Sequence, residues 1–240
     1  MNEIRGSQGE VMESPRLEMD ADGIAWVVFD DPEAKVNLLN PQSVGRIDGI
    51  LDEFSQRKPK GVVFISGKPG IFIAGADINE LEKIRDAARG EELSRAGHRI
   101  LAKIEKLGVP TVAAIDGACL GGGCELALAC RFRVATDNPK TQIGLPETQL
   151  GIIPGWGGTQ RLPRLIGLHA ALGIVVAGKT VNATRALKLG FVNAVVPAVA
   201  LHATAVRFVK TGRRPGAAVF LDNLWPVRRI LCRMARQQTR

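Results

Sequence analysis

Residues 113–130 read AAIDGACLGGGCELALAC, and from Gly117 to Cys130 the only charged side chain is that of Glu125. TVAAIDG at 111–117 has the composition of a buried strand and CELALAC at 124–130 that of a helix, which makes the glycine triplet a strand-to-helix junction. Glycines there permit backbone conformations and close approaches denied to other residues, and the free N–H groups of the helix start face outward with the positive end of the dipole. That geometry suits an oxyanion. A carboxylate in such apolar surroundings is costly without partners and responds by raising its pKa, so Glu125 calls for a reason.

Outward from this junction, strands and helices alternate. GIAWVVFDDP at 23–32 is a β-branched run closed by a turn signal. PQSVGRIDGILDEFSQR at 41–57 places Val44, Ile47, Ile50, Leu51 and Phe54 at helical spacing, and GVVFISG at 61–67 is a short buried strand. A helical stretch from Ile78 to about Leu107, broken near Gly90, precedes TVAAIDG; RFRVATD at 131–137 is the next strand. After Pro154, TQRLPRLIG, HAALGIVVAG and NATRALKLG each end at or near glycine, as helices do. The pattern predicts an α/β fold with a helical C-terminal region. It divides the chain into a loose leader over 1–16, a core over 17–200 and a basic helical region over 201–240, in which GAAVFLDNLWPVRRILCRMARQQTR reads as an amphipathic helix interrupted at Pro226.

The 240 residues, 45% hydrophobic, suffice for one sizeable core. No run is apolar enough to span a membrane and the polar start does not resemble a signal peptide, so a cytoplasmic location is expected. The net charge of +8 is local: from Arg207 onward there are nine Lys or Arg and one acid, Asp222, while residues 1–206 balance. No nucleic-acid motif accompanies that tail, and a solvated or interface helix is the expected reading. Cys119, Cys124, Cys130 and Cys232 contain no CxxC pair, and three lie in the apolar segment, as buried thiols would. His98, His169 and His202 are widely spaced, with no ligand or triad context.

A second isolated carboxylate gives the first its meaning. Between Lys140 and Arg161 the chain reads TQIGLPETQLGIIPGWGGTQ, in which Glu147 is the only charged residue. Either glutamate alone could serve to complement a helix dipole. Two of them in apolar, glycine-rich settings suggest one shared site, where a pair of carboxylates works on water as an oxyanion hole stabilises an enolate. The glycine triplet is not GxGxxG, no Lys-Ser/Thr follows it and no serine occupies a nucleophile elbow.

IFIAGADINEL at 71–81, AAIDGACLGGGCELALAC at 113–130 and GLPETQLGIIPGWGGTQRLPRLIG at 144–167 resemble, in order and spacing, the three signature segments of the crotonase (enoyl-CoA hydratase) family. AKVNLLN, SGKPGIFIAGADINEL and GGTQRLPR look most like the hydratase portion of the multifunctional fatty-acid oxidation α-subunits. The resemblance implies a ββα superhelix assembled as a trimer or dimer of trimers. It implies that Glu125 and Glu147 activate a water that adds to a trans-2-enoyl-CoA, giving the 3-hydroxyacyl-CoA of β-oxidation. The backbone N–H groups of Ala76 and Gly122 would hold the thioester oxygen, with Ala74, Gly75, Asp77 and Gly121 against the substrate or its CoA portion. No metal or redox cofactor is implied, coenzyme A being part of the substrate.

Retention of both glutamates favours a hydratase over an isomerase, which can work with the second alone. The other readings are another acyl-CoA enzyme of the same fold, or a catalytically poor binding fragment of a multifunctional protein. The multifunctional relatives continue into a dehydrogenase domain, so the resemblance leaves room for a missing dehydrogenase domain or partner subunit; with no GxGxxG in the chain, no dehydrogenase activity is expected of it. Trp156 could shape the acyl tunnel or simply pack, and Arg207, Lys210, Arg213 or Arg214 could meet CoA phosphates or water.

Overall fold

The structure, a computed structural model, describes residues 14–212. Arg16–Met19 (β1) pairs antiparallel with Ile24–Phe29 (β2), which lies parallel to Gly61–Ser66 (β3). Thr111–Ile115 (β5), Phe132–Thr136 (β7) and Ala194–Val196 (β10) extend this sheet in parallel, in the order β1-β2-β3-β5-β7-β10. A smaller sheet of Ile71–Ile73 (β4), Ala118–Leu120 (β6), Gln142–Gly144 (β8) and Thr180–Asn182 (β9) runs in that order, antiparallel only at β8–β9. The helices are Pro41–Arg57 (α1), Ile78–Glu82 (α2), Ala87–Glu105 (α3), Gly122–Ala129 (α4), Gly158–Ile166 (α5), Leu168–Val175 (α6), Ala183–Lys188 (α7) and Leu201–Thr211 (α8). β3-β4-α2/α3, β5-β6-α4 and β7-β8 with the 3-10 turn Pro146–Leu150 are successive turns of a strand–strand–helix spiral.

All six residues of β2 are buried because the large sheet is covered on both faces. Ile24, Trp26 and Val28 pack with Leu201, Ala205 and Val209 of α8, while Ala25, Val27 and Phe29 join the main core with Ile47, Ile50 and Phe54 of α1. Leu201–Thr211 is thus a packing element of the large sheet. Two polar devices fix the spiral. Asp116 accepts hydrogen bonds from the Gly70 N–H (2.8 Å), Thr136 Oγ1 (2.5 Å) and Asn138 Nδ2 (3.1 Å), joining the loop before β4 to the ends of β5 and β7. Burial opposes its ionisation, but those donors hold its carboxyl below the usual range. The buried Arg133 donates to the carbonyls of Ala127 (3.1 Å) and Cys130 (2.6 Å) at the end of α4 and of Phe191 (2.8 Å).

The helical stretch predicted from Ile78 to Leu107 does break, but at 83–86 and not near Gly90, which lies in the first turn of α3. Asp86 decides the position: its side chain accepts the Arg89 N–H and caps α3, and an aspartate at an N-cap stabilises a helix start more than a glycine one turn later disturbs it. The leader expected over 1–16 ends earlier, since Arg16 already pairs with Val28. Cys119, Cys124 and Cys130 are free and buried. Cys232, Arg213, Arg214, residues 1–13 and the amphipathic helix expected over 216–240 lie outside the described residues. No helix among the described residues is long and apolar enough to cross a membrane.

α4 lies so close to β4 that a Cβ on Gly123 would sit 2.6 Å from the Ile73 carbonyl oxygen and Cβ. Gly123→Ala should therefore lower unfolding stability by about 1–3 kcal/mol in denaturant titrations, the usual cost of overpacking against a backbone.

Candidate active site

The turn from β6 into α4 is made by Gly121, at φ +52, a left-handed region that disfavours a side chain. Its N–H donates to the Gly144 carbonyl at 3.0 Å. A Cβ on it would lie 3.2 Å from Glu147 Oε1 and 3.6 Å from Gly75 Cα, so the three segments singled out in the sequence meet here. As the first residue of α4, Gly122 has no intrahelical acceptor for its N–H. Opposite, the extended segment 74–77 pairs with 37–39. Leu39 N–H donates to Gly75 O (2.8 Å) and Asp77 N–H to Leu39 O (3.0 Å), a parallel bridge that turns the Ala76 N–H to the other side. Ala76 and Gly122 both line a cavity of about 460 Å³ that also receives Glu125, Glu147, Ala74, Gly75, Asp77 and Gly121.

All eight site residues predicted from the sequence thus surround one cavity, in different states. Ala74 spends its N–H on Asn37 O (2.9 Å), and the Asp77 carboxylate caps α2 by accepting the Asn79 N–H (2.9 Å). Glu125, only 2% exposed, accepts on Oε1 the N–H groups of Trp156 (2.8 Å) and Gly158 (2.7 Å), the latter at the start of α5. Burial pushes its pKa up to about 7; the two N–H donors and Arg161 act in the opposite direction, while Glu147 adds to the rise. Glu147, in the 3-10 turn after β8, is also raised by burial, and its Oε2 is buried without a hydrogen-bond partner.

The two glutamates are not equivalent. Glu125 Oε1 is held by two backbone N–H donors, whereas Glu147 Oε2 has no partner, and burial raises both carboxyls above the ordinary carboxylate range. Leu39, Val44, Leu93, Ile152 and Trp156 give it an otherwise apolar wall. Among the described residues no cluster of three or more His, Cys, Asp or Glu side chains is placed to hold a metal ion.

Asn37 escapes a reading of the sequence, and Trp156 does more than the sequence suggests. Asn37, 2% exposed, donates from Nδ2 to Phe29 O, Ser66 Oγ and Phe72 O at 2.8–3.0 Å, fixing the segment that pairs with Gly75 and Asp77. Trp156 has two roles: its N–H holds Glu125 while its indole fills the space over Gly97 of α3. The glycines in GWGG are the one sequence signal for the contact with Glu125, since a Cβ on Gly158 would lie 3.1 Å from Glu125 Oε1.

A sequence profile of the enoyl-CoA hydratase/isomerase family matches residues 20–219. The chain belongs to that family. Among solved structures, the enoyl-CoA hydratase of Bacillus anthracis is 31% identical, with a TM-score of 0.75 over 82% of this chain and 75% of that one. A protein of Geobacillus kaustophilus HTA426 described as an enoyl-CoA hydratase is 34% identical, with a TM-score of 0.74 over 80% and 72%. DspI of Pseudomonas aeruginosa is 25% identical, with a TM-score of 0.76 over 98% and 97%. Enoyl-CoA hydratase/isomerase membership makes the chain an enzyme of the crotonase superfamily, and its α/β spiral is the fold of those structures.

Because the folded state holds the Glu125 proton to about pH 7, against an ordinary value of 4.5, ionising this group weakens folding progressively between those two pH values and by a constant amount above them. Glu125→Gln keeps an oxygen for both N–H donors and removes that cost. At pH 8 the variant should be more stable than the parent by on the order of 3 kcal/mol, and near pH 4 the difference should vanish, as read from denaturant unfolding at the two pH values.

Proposed function

We propose that the chain is an enoyl-CoA hydratase, adding water to trans-2-enoyl-CoA to give 3-hydroxyacyl-CoA. The observation that carries this reading is a buried and a half-buried carboxylate in different hydrogen-bonding states, lining one cavity with Ala76 and Gly122. The thioester oxygen accepts from the N–H groups of those two residues, which favour the charge it gains as an enolate; one such oxyanion donor is worth about 3–4 kcal/mol. Ionised Glu125 removes a proton from water as the oxygen bonds to C3. The electron pair of the C2–C3 double bond moves toward the thioester, and Glu147 then gives its proton to C2 as the enolate collapses. One O–H bond and one π bond are lost, and one C–O and one C–H bond are formed. Proton exchange with the next water returns both glutamates to their starting states.

The chemistry needs no metal or redox cofactor, and the CoA thioester is the substrate. With this reading go a place in fatty-acid β-oxidation, a cytoplasmic location and a homotrimer or dimer of trimers as parts of the same proposal. Isomerisation is a second reading at the same site, favoured by the unpartnered Glu147 Oε2, which could carry a proton between C2 and C4 unaided.

The two activities separate by mutation. Glu125→Gln should lower kcat for crotonyl-CoA hydration by about 10²–10⁴-fold and leave a trans-3 to trans-2 double-bond shift largely intact, while Glu147→Gln should lower both. Retention of hydration by both single variants would overturn the acid–base assignment.

A further inference from the structure

Glu125 depends on the loop 156–158, and that loop depends on one cation. Arg161, in α5, has a side chain only 15% exposed. Its Nη1 donates to the Trp156 carbonyl at 2.6 Å; its Nε and Nη2 donate to the two carboxylate oxygens of Glu105, the last residue of α3, at 2.8 and 3.0 Å. Gly157 stands between, at φ +98, and a Cβ on it would lie 2.5 Å from Arg161 Nη1. The guanidinium therefore occupies the place a side chain would take. The carbonyl it holds belongs to the 156–157 peptide, which lies between the two peptides whose N–H groups donate to Glu125.

We propose that Arg161, anchored by Glu105, is a positioning residue for Glu125: it fixes the Trp156 carbonyl so that the N–H groups of Trp156 and Gly158 stay aimed at Oε1. Arg161 touches no reacting atom, and its effect on the reaction rests on the acid–base role given to Glu125 above. A planar fork suits the task, because a bidentate carboxylate contact leaves a third N–H with a set direction. A simple ion pair between α3 and α5 would occupy only the fork.

The charged and titratable groups around Glu125 are few: Glu147 from the 3-10 turn, Cys124 on its own helix, Arg161 from α5, and from α3 Glu105, reached through Arg161, and His98, whose ring edge lies beside Gly157. Loss of Arg161 removes the nearest cation and loosens both donors, and both changes disfavour the Glu125 carboxylate.

The test is the titration of Glu125, followed by ¹³C NMR of side-chain carboxyl-labelled glutamate, with Glu125→Gln identifying its resonance. Arg161→Gln should move that titration upward by about one pH unit and lower kcat at pH 7 by ten-fold or more with KM changed less than about two-fold. Arg161→Lys, which keeps the charge but not the fork, should recover only part of both. Glu105→Gln, at a more exposed position, should move the titration the same way by less, and carries the test if Arg161→Gln does not fold. Unchanged Glu125 titration in whichever of these two variants folds would overturn the proposal, whatever happens to thermal stability. Because the NMR readout needs no turnover, an upward movement without hydration by the parent chain would support the positioning role and count only against the hydratase reading.

Discussion

A carboxylate kept out of water is the constraint around which the structure is arranged. Glu125 is 2% exposed, and the folded chain compensates it with two backbone donors from a different element, at 2.7 and 2.8 Å. Those donors exist only because α5 begins where α4 presents its first turn, because Gly157 and Gly158 leave room for a guanidinium and a carboxylate, and because α3 supplies the anchor for that guanidinium. Compensation is incomplete, and the residual cost appears as a pKa near 7. Under the proposed hydratase reading, stability is traded for a group able to take a proton from water.

The spiral makes such an arrangement possible. Each turn of chain crosses from the large sheet to the small one, so the loops and helix starts that follow β4, β6 and β8 stack at one place. Segment 74–77, the glycine triplet and the turn carrying Glu147 come from three successive crossings. Asp116 joins the crossings through side-chain and backbone donors, and Arg133 closes the far end of α4, whose near end faces the cavity. The large sheet with its cover of α1 and α8 supplies a rigid support, while the cavity is built from backbone groups and two side chains on its margin.

The frame was legible in the sequence where burial is two-sided. IAWVVF and TVAAI are continuous apolar runs because helices cover both faces of the strands, and α1 shows its core side through Ile47, Ile50 and Phe54. The glutamates were legible through isolation, since each is the lone charge in a long apolar stretch. The small sheet left no periodic signal in its three-residue strands, and β1 was not read as a strand, its first residue, Arg16, falling in the expected leader. The break before α3 was set by an aspartate cap that glycine punctuation obscures. Asn37 and Arg161 were illegible for a different reason: Asn37 acts on a backbone carbonyl 35 residues away, and Arg161, which reaches the Trp156 carbonyl five residues back, is anchored by Glu105 at a separation of 56, so no local pattern marks them. Only their types, a buried amide and a forked cation, suit such work.

The most direct measurement of the central claim is turnover of crotonyl-CoA in ¹⁸O-labelled water, following the conjugated thioester absorbance and the mass of the product. If Glu125 and Glu147 handle water as described, the absorbance falls and 3-hydroxybutyryl-CoA carries one ¹⁸O at C3. Persistence of the absorbance with the thioester demonstrably bound would contradict the account, because a site that holds the ester beside both carboxylates and still leaves the double bond intact is not organised to add water.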